Sequence, residues 1–95
     1  MSREITCVTN GADEFPDCRG ITSLGYVDDF TGRQGMATPE EAYRDITEEG
    51  ITYYISLGPG RRVKVIPVER DSIRYVRTER NTDTAQDWLL KKPTC

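Results

Sequence analysis

The chain has 95 residues and a mass of 10.8 kDa, which is enough for one domain over residues 1–95 and too little for two. It contains no histidine, which removes Ser-His-Asp and Cys-His catalysis and every zinc pattern built on imidazole. No apolar run approaches the ~20 residues of a membrane span, and Met1-Ser2-Arg3-Glu4 opens no signal peptide, so a soluble cytoplasmic protein with no membrane partner is expected.

Charge is unevenly spread. Residues 1–50 carry a net −7 and residues 51–95 a net +4, which together give the chain its −3. An acidic half followed by a basic half is a dipole in sequence, and the fold decides whether it is one in space.

In chain order, Arg3 to Val8 alternates around Ile5 and Cys7 and predicts a first strand, stopped by the turn pair Asn10-Gly11. Ala12–Gly20, with Pro16 and three carboxylates, reads as a loop. Ile21 to Val27 predicts a second strand, and Asp28 to Ala37, with Gly32 and Gly35, reads as a polar connection. Thr38-Pro39-Glu40-Glu41 is the strongest local signal. Thr38 is an N-cap, Pro39 fits the first helical position, and Glu41 closes a capping box. The helix should run from Pro39 to about Glu49 and stop at Gly50, with Ala42, Tyr43 and Ile46 as its apolar stripe.

Three further strands follow. Ile51 to Leu57 alternates, Gly58-Pro59-Gly60 turns the chain, and Arg61 to Val68 places Val63 and Val65 on one face. Pro67 marks a strand edge, end or bulge. Asp71-Ser72 turns again into Ile73 to Thr78. The segment from Asn81 carries Asp83 or Thr84 as a possible cap. Its apolar anchors Trp88, Leu89 and Leu90 predict a short helical turn docked on the sheet. The fold class is therefore α+β: a mostly antiparallel sheet of about five strands, ordered β-β-α-β-β-β, against one helix.

Chemistry is sparse. Asp28-Asp29, Glu40-Glu41 and Glu48-Glu49 are sequence neighbours, which neither a helix nor a strand turns toward each other, so no acid/base pair is read there. Gly32-Arg33-Gln34-Gly35 matches the G-x-x-G of nucleic-acid clamps but follows a strand and lacks the joining helices, so it reads as a flexible connection. Cys7, Cys18 and Cys95 form an odd set with no C-x-x-C and no metal spacing. In a reducing compartment all three are expected as free thiols, Cys7 as a small buried hydrophobe. No catalytic residue, no metal site and no cofactor is expected.

One constellation has content. If Val63 and Val65 point inward, Arg62, Lys64 and Ile66 point outward. If Ile73 and Tyr75 face the core, Arg74, Val76 and Thr78 point outward as well, joined by Thr52, Tyr54 and Ser56. Tyr54, Arg62, Lys64 and Arg74 would then combine cations with an aromatic, the chemistry of single-strand nucleic-acid binders. A half-exposed sheet with a wet polar face explains the same pattern, and the net acidity opposes nucleic acid.

Ile5-Thr6-Cys7-Val8, Ile21, Gly25-Tyr26, Thr31-Gly32 and Gly35, followed by Tyr75-Val76-Arg77-Thr78, Leu89-Leu90, Pro93 and Cys95, resemble the domain of unknown function 3892 family. Arg80-Asn81-Thr82, Trp88 and Lys92 depart from its pattern. The resemblance implies a compact bacterial single domain and brings no assigned activity. The expected function is a non-enzymatic module that binds another protein. The alternative is nucleic-acid binding through the basic face, and the third choice is a thiol- or carboxylate-dependent enzyme. Oligomeric state is not readable from the sequence.

Overall fold

The helix forms where its cap demands it. In the computed structural model, which describes residues 1–11, 18–79 and 88–95, α1 spans Pro39–Glu48. Thr38 Oγ1 accepts from the Glu41 N–H at 3.1 Å, and the Glu41 carboxylate accepts from the Thr38 N–H at 2.9 Å. Both halves of the capping box are therefore made. Gly50, with φ +69°, lets the chain leave the helix in a conformation that costs other residues more.

Six strands form one mixed sheet: β1 Ser2–Asn10, β2 Ile21–Asp28, β3 Gln34–Ala37, β4 Thr52–Gly58, β5 Arg61–Arg70 and β6 Ile73–Thr78. The spatial order is β3-β2-β1-β4-β5-β6. All neighbours are antiparallel except β1 and β4, which run parallel over Ser2–Glu4 and Thr52–Tyr54. Short 3-10 turns occupy Cys18–Gly20 and Trp88–Lys91. The rest of the loop expected over Ala12–Gly20, and the proposed cap at Asp83 or Thr84, lie outside the described residues.

The extra strand corrects the reading of Asp28–Ala37 as a polar connection. Asp28 Oδ1 accepts from the N–H groups of Phe30 and Thr31, and Gly32 at φ +72° closes a tight turn that sends the chain back along β2. Gly35 looked like a loop residue because it is glycine. Its place is explained by Tyr26, whose ring would lie 2.6 Å from any Cβ added there.

The core lies between the sheet and α1, with Ile5, Leu24, Ala42, Tyr53, Ile55, Val65 and Leu89 fully buried. Each large apolar side chain so buried contributes ~1.5–3 kcal/mol. The tail docks as expected: Leu89 is buried outright, while Trp88 and Leu90 pack half-buried against the core. Its position follows from the short β1–β4 pairing. Once the strands part, Val8 has unpaired backbone groups, and the tail supplies partners. The Val8 N–H donates to the Pro93 carbonyl at 2.9 Å, and the Cys95 N–H donates to the Val8 carbonyl at 3.2 Å. Lys92 Nζ donates to the Ser56 carbonyl of β4 at 3.1 Å, so the tail bridges both strands.

The cysteine expectation is corrected here. Cys7 and Cys95 are disulfide-bonded, with Cα atoms 5.0 Å apart, while Cys18 is buried and outside the bond. Cys7 is not a core residue. Ile5 pairs with Tyr26 and Cys7 with Gly25, so β1 carries one residue more than β2 across this step, a bulge at Thr6. The bulge turns Ile5 and Val8 inward and leaves Cys7 on the outer face. Gly25 beneath it has no side chain for good reason: a Cβ there would collide with Cys7 Sγ and lie 3.0 Å from Cys95 Sγ.

Candidate functional site

The register of β4 against β5 sets Tyr54 beside Lys64 and Ser56 beside Arg62, all on the face away from α1. Three of the four residues expected to form the basic face are therefore together. Tyr54, however, is no exposed platform. It is 6% exposed, its hydroxyl donates to Asp29 Oδ1 at 2.7 Å, and the Arg62 guanidinium lies 4.5 Å above its ring. Arg62 also approaches Asp29 Oδ2 at 4.0 Å, so the carboxylate offsets part of its charge. A base has no open ring to stack on here.

Arg74 is on the other face, which corrects the expected grouping. β6 pairs with β5 as Val65 with Thr78, Pro67 with Val76 and Glu69 with Arg74, so these side chains share the face of Val65 and α1. Ile73 and Tyr75 alternate onto the opposite face, where Tyr75 is still buried in the core cluster with Ile73 packed against it, so β6 is covered on both faces. Arg74 Nε donates to Glu69 Oε2 at 3.0 Å, and its guanidinium stands 5.3 Å from the Tyr43 ring of α1. The hydrogen bond to Glu69 raises its pKa. Arg74 therefore staples the sheet edge to the helix.

A second polar cluster lies between sheet and helix, assembled by the parallel pairing of Arg3 with Tyr53. Arg3 Nη1 donates to the Tyr53 hydroxyl at 2.8 Å and to Asp45 Oδ2 at 3.2 Å. Tyr53 in turn donates to Asp45 Oδ2 at 2.7 Å. The guanidinium stacks 4.4 Å from the Tyr26 ring. Arg3 Nε is buried without a hydrogen bond, and Asp28 Oδ2, 3.9 Å away, supplies only its field. Residues 3, 26, 28, 45 and 53 carry no spacing signal, because antiparallel pairing with β2 brings Tyr26 and Asp28 to Arg3 and the parallel pairing with β4 brings Tyr53. Chemically the cluster is a clamp rather than a catalytic centre. Burial, with the hydrogen bond to Asp45, holds the Tyr53 proton well above the usual phenol range despite the opposing Arg3, so Tyr53 is no base near neutrality.

These protonation states give a dependence on pH. Burial, then the bond to Asp29, pushes Tyr54 up to about 12 against the opposing Arg62. A tyrosine whose folded pKa is raised contributes stability that is complete below its unfolded value of about 10 and is lost as pH rises through the folded value. On the acid side, the Thr31 N–H and then the Phe30 N–H hold Asp28 low against its burial, so its contribution is complete above the usual carboxylate range and is lost as pH falls through the lowered value. Urea midpoints should therefore stay level near neutrality and fall above about pH 10. Tyr54→Phe should make the alkaline fall shallower; an unchanged alkaline limb would refute the assignment.

The outer face of β1, β2 and β3 carries a shallow depression of about 260 Å³, bordered by Thr6, Cys7, Gly25, Gln34 and Met36. Beside it β3 is the sheet's end strand, paired only with β2 among the described residues. Met36 on this strand is 57% exposed, and Phe30 in the turn before it is 90% exposed. Sequence reasoning missed this region because the strand itself was read as a connection. No helix among the described residues is long and apolar enough to cross a membrane. Comparison with family models, curated proteins and solved structures finds no match.

Proposed function

We propose that the chain is a non-enzymatic binding module that accepts an extended polypeptide segment of a partner protein on the open edge of β3. The observation that carries this reading is the exposure of Phe30 and Met36 beside an end strand. An end strand offers unpaired N–H and C=O groups as a template, and proteins that leave one open normally blunt it with lysine or proline. Gln34–Ala37 holds neither. Arg33 precedes the strand and Glu40 and Glu41 follow it at the start of α1, so the partner strand is apolar with lysine or arginine at the end that meets α1. The depression bordered by Met36 and Gly25 receives one of its side chains.

An enzyme working through a thiolate is disfavoured, because Cys7 and Cys95 hold each other. Binding of nucleic acid through Tyr54, Arg62, Lys64 and Arg74 is disfavoured by the split of those residues between two faces. A disulfide persists where thiols are oxidised, so the reducing cytoplasm expected from the sequence is not the compartment this bond favours.

Titrating the chain with an alternating valine–lysine peptide, followed by backbone amide shifts, tests the reading. Shifts concentrated on Gln34–Ala37, and abolished when alternate peptide residues are proline, are expected. Shifts elsewhere, or none, would overturn it. Sedimentation of the chain alone shows whether a second copy occupies the edge instead, which would also overturn it.

A further inference from the structure

The turn joining β4 to β5 meets the docked tail at Trp88. The half-buried indole borders two adjoining depressions, of about 200 and 220 Å³, and Leu57 borders both. Arg61 and Arg62 line the first, which is polar; Lys91, Lys92 and Pro93 line the second, which is apolar. Four basic residues thus border the two depressions that meet at Trp88, in a chain whose net charge is −3, with the Arg62 guanidinium over the Tyr54 ring and the Lys92 ammonium on the Ser56 carbonyl.

Four cations elsewhere are matched, while Arg33 and Lys64 sit in no ion pair among the described residues. Arg3, Arg19, Arg44 and Arg74 each face a carboxylate. Arg61 and Lys91 are exposed and sit in no ion pair among the described residues. Arg62 lies over the Tyr54 ring with Asp29 at 4.0 Å as its one carboxylate among the described residues, and Lys92 is held by a neutral carbonyl. Like charges brought together repel and destabilise the fold, and an anion removes that repulsion while gaining a focused field. The apolar side carries no charge need of its own. It has an indole with Leu57 and Pro93 around it, a surface that suits a flat ring.

We propose that this site binds a nucleotide, its phosphate at Arg61 and Arg62 and its base against Trp88. Lys91 and Lys92 add to the field at the rim. Two sources share this chemistry, a free nucleotide and a nucleotide within a single strand, because stacking on an aromatic with phosphate held by cations serves both. The depressions are on the β4–β5 turn and the tail, not on β3, so this inference stands or falls independently of peptide binding at that edge.

Trp88 is the chain's single tryptophan, so its fluorescence reports this site directly. Adenosine monophosphate should quench it saturably, and inorganic phosphate or adenosine alone should do so far more weakly. Binding should weaken between about 50 and 200 mM salt, as expected for phosphate contacts. The variant Arg61→Ala with Lys91→Ala removes two exposed side chains, so its melting temperature should hold while affinity falls about tenfold or more. A ten-residue single-stranded deoxyadenylate that binds much more tightly than the monomer assigns the site to strands, and equal affinity assigns it to free nucleotides. No saturable quenching, quenching that the double variant leaves unchanged, or equal competition by a glutamate-rich peptide would overturn the proposal.

Discussion

Reduction of the Cys7–Cys95 bond should lower the free energy of unfolding by about 4 kcal/mol. The bond links residues 88 apart, so it removes more freedom from the unfolded chain than a short-range crosslink would. Chain-entropy estimates run from about 3 kcal/mol for a 15-residue loop to about 4.7 for a 100-residue one. Domains of this size have only about 5–15 kcal/mol in total, so the reduced protein should be marginal. Guanidinium unfolding with and without a phosphine reductant measures this, with Cys7→Ser plus Cys95→Ser as the covalent control. Equal midpoints would show that the bond contributes nothing to the native state. The same comparison locates the compartment: a chain that needs the bond to stay folded has no stable life among reducing thiols.

What could be read from the residues and what could not divides along the range of the interactions. The α1 boundary is legible because its cap is completed within four residues, Thr38 to Glu41. The last three strands are legible because each is bounded by turn residues, and β5 alternates in burial around Val63 and Val65. The face of Arg74 was also within reach. Asp71 and Ser72 have φ of 53° and 66°, a two-residue turn of the kind that joins hairpins. Such a turn puts Arg70 opposite Ile73, and counting back puts Arg74 opposite Glu69 on the face of Val65. Tyr75 and Val76 are both buried, so a core position for one face of β6 does not make the other face solvent-exposed.

Other features were out of reach. The bulge at Thr6 shifts Cys7 by one face and has no composition signal, so strict alternation placed Cys7 in the core. β3 hides behind glycines whose reason is the bulk of Tyr26 on the neighbouring strand. The Arg3–Asp45–Tyr53 clamp depends on the single parallel pairing in the sheet, which no local pattern announces. In the candidate sites the same rule holds. The cations of Arg61 and Lys91 are visible in sequence, but their convergence on Trp88 requires the tail to dock beside the β4–β5 turn.

Leu89→Ala should cost about 2–5 kcal/mol in the oxidised protein, because Leu89 is fully buried and the cavity it leaves is walled by side chains that relax only in part. Its dependence on the disulfide carries more information than its size. In the oxidised chain, Cys95 is bonded to Cys7 and the tail cannot leave, so the whole cavity is felt. In the reduced chain, the tail is held by Leu89, the Val8 hydrogen bonds and the Lys92 contact to Ser56. A tail that can detach caps the loss at its own docking free energy, since the rest of the sheet then unfolds from a state that has already released it. The substitution should therefore cost less after reduction, and the two changes should be non-additive by roughly 1 kcal/mol or more, as expected for groups that share one element. Full additivity would mean that the tail never separates from the sheet short of global unfolding. In that case Trp88 keeps its place in the reduced protein, and its fluorescence should stay constant until the main transition. A separable tail should instead change the emission of Trp88 at a lower denaturant concentration than the sheet loses its circular dichroism.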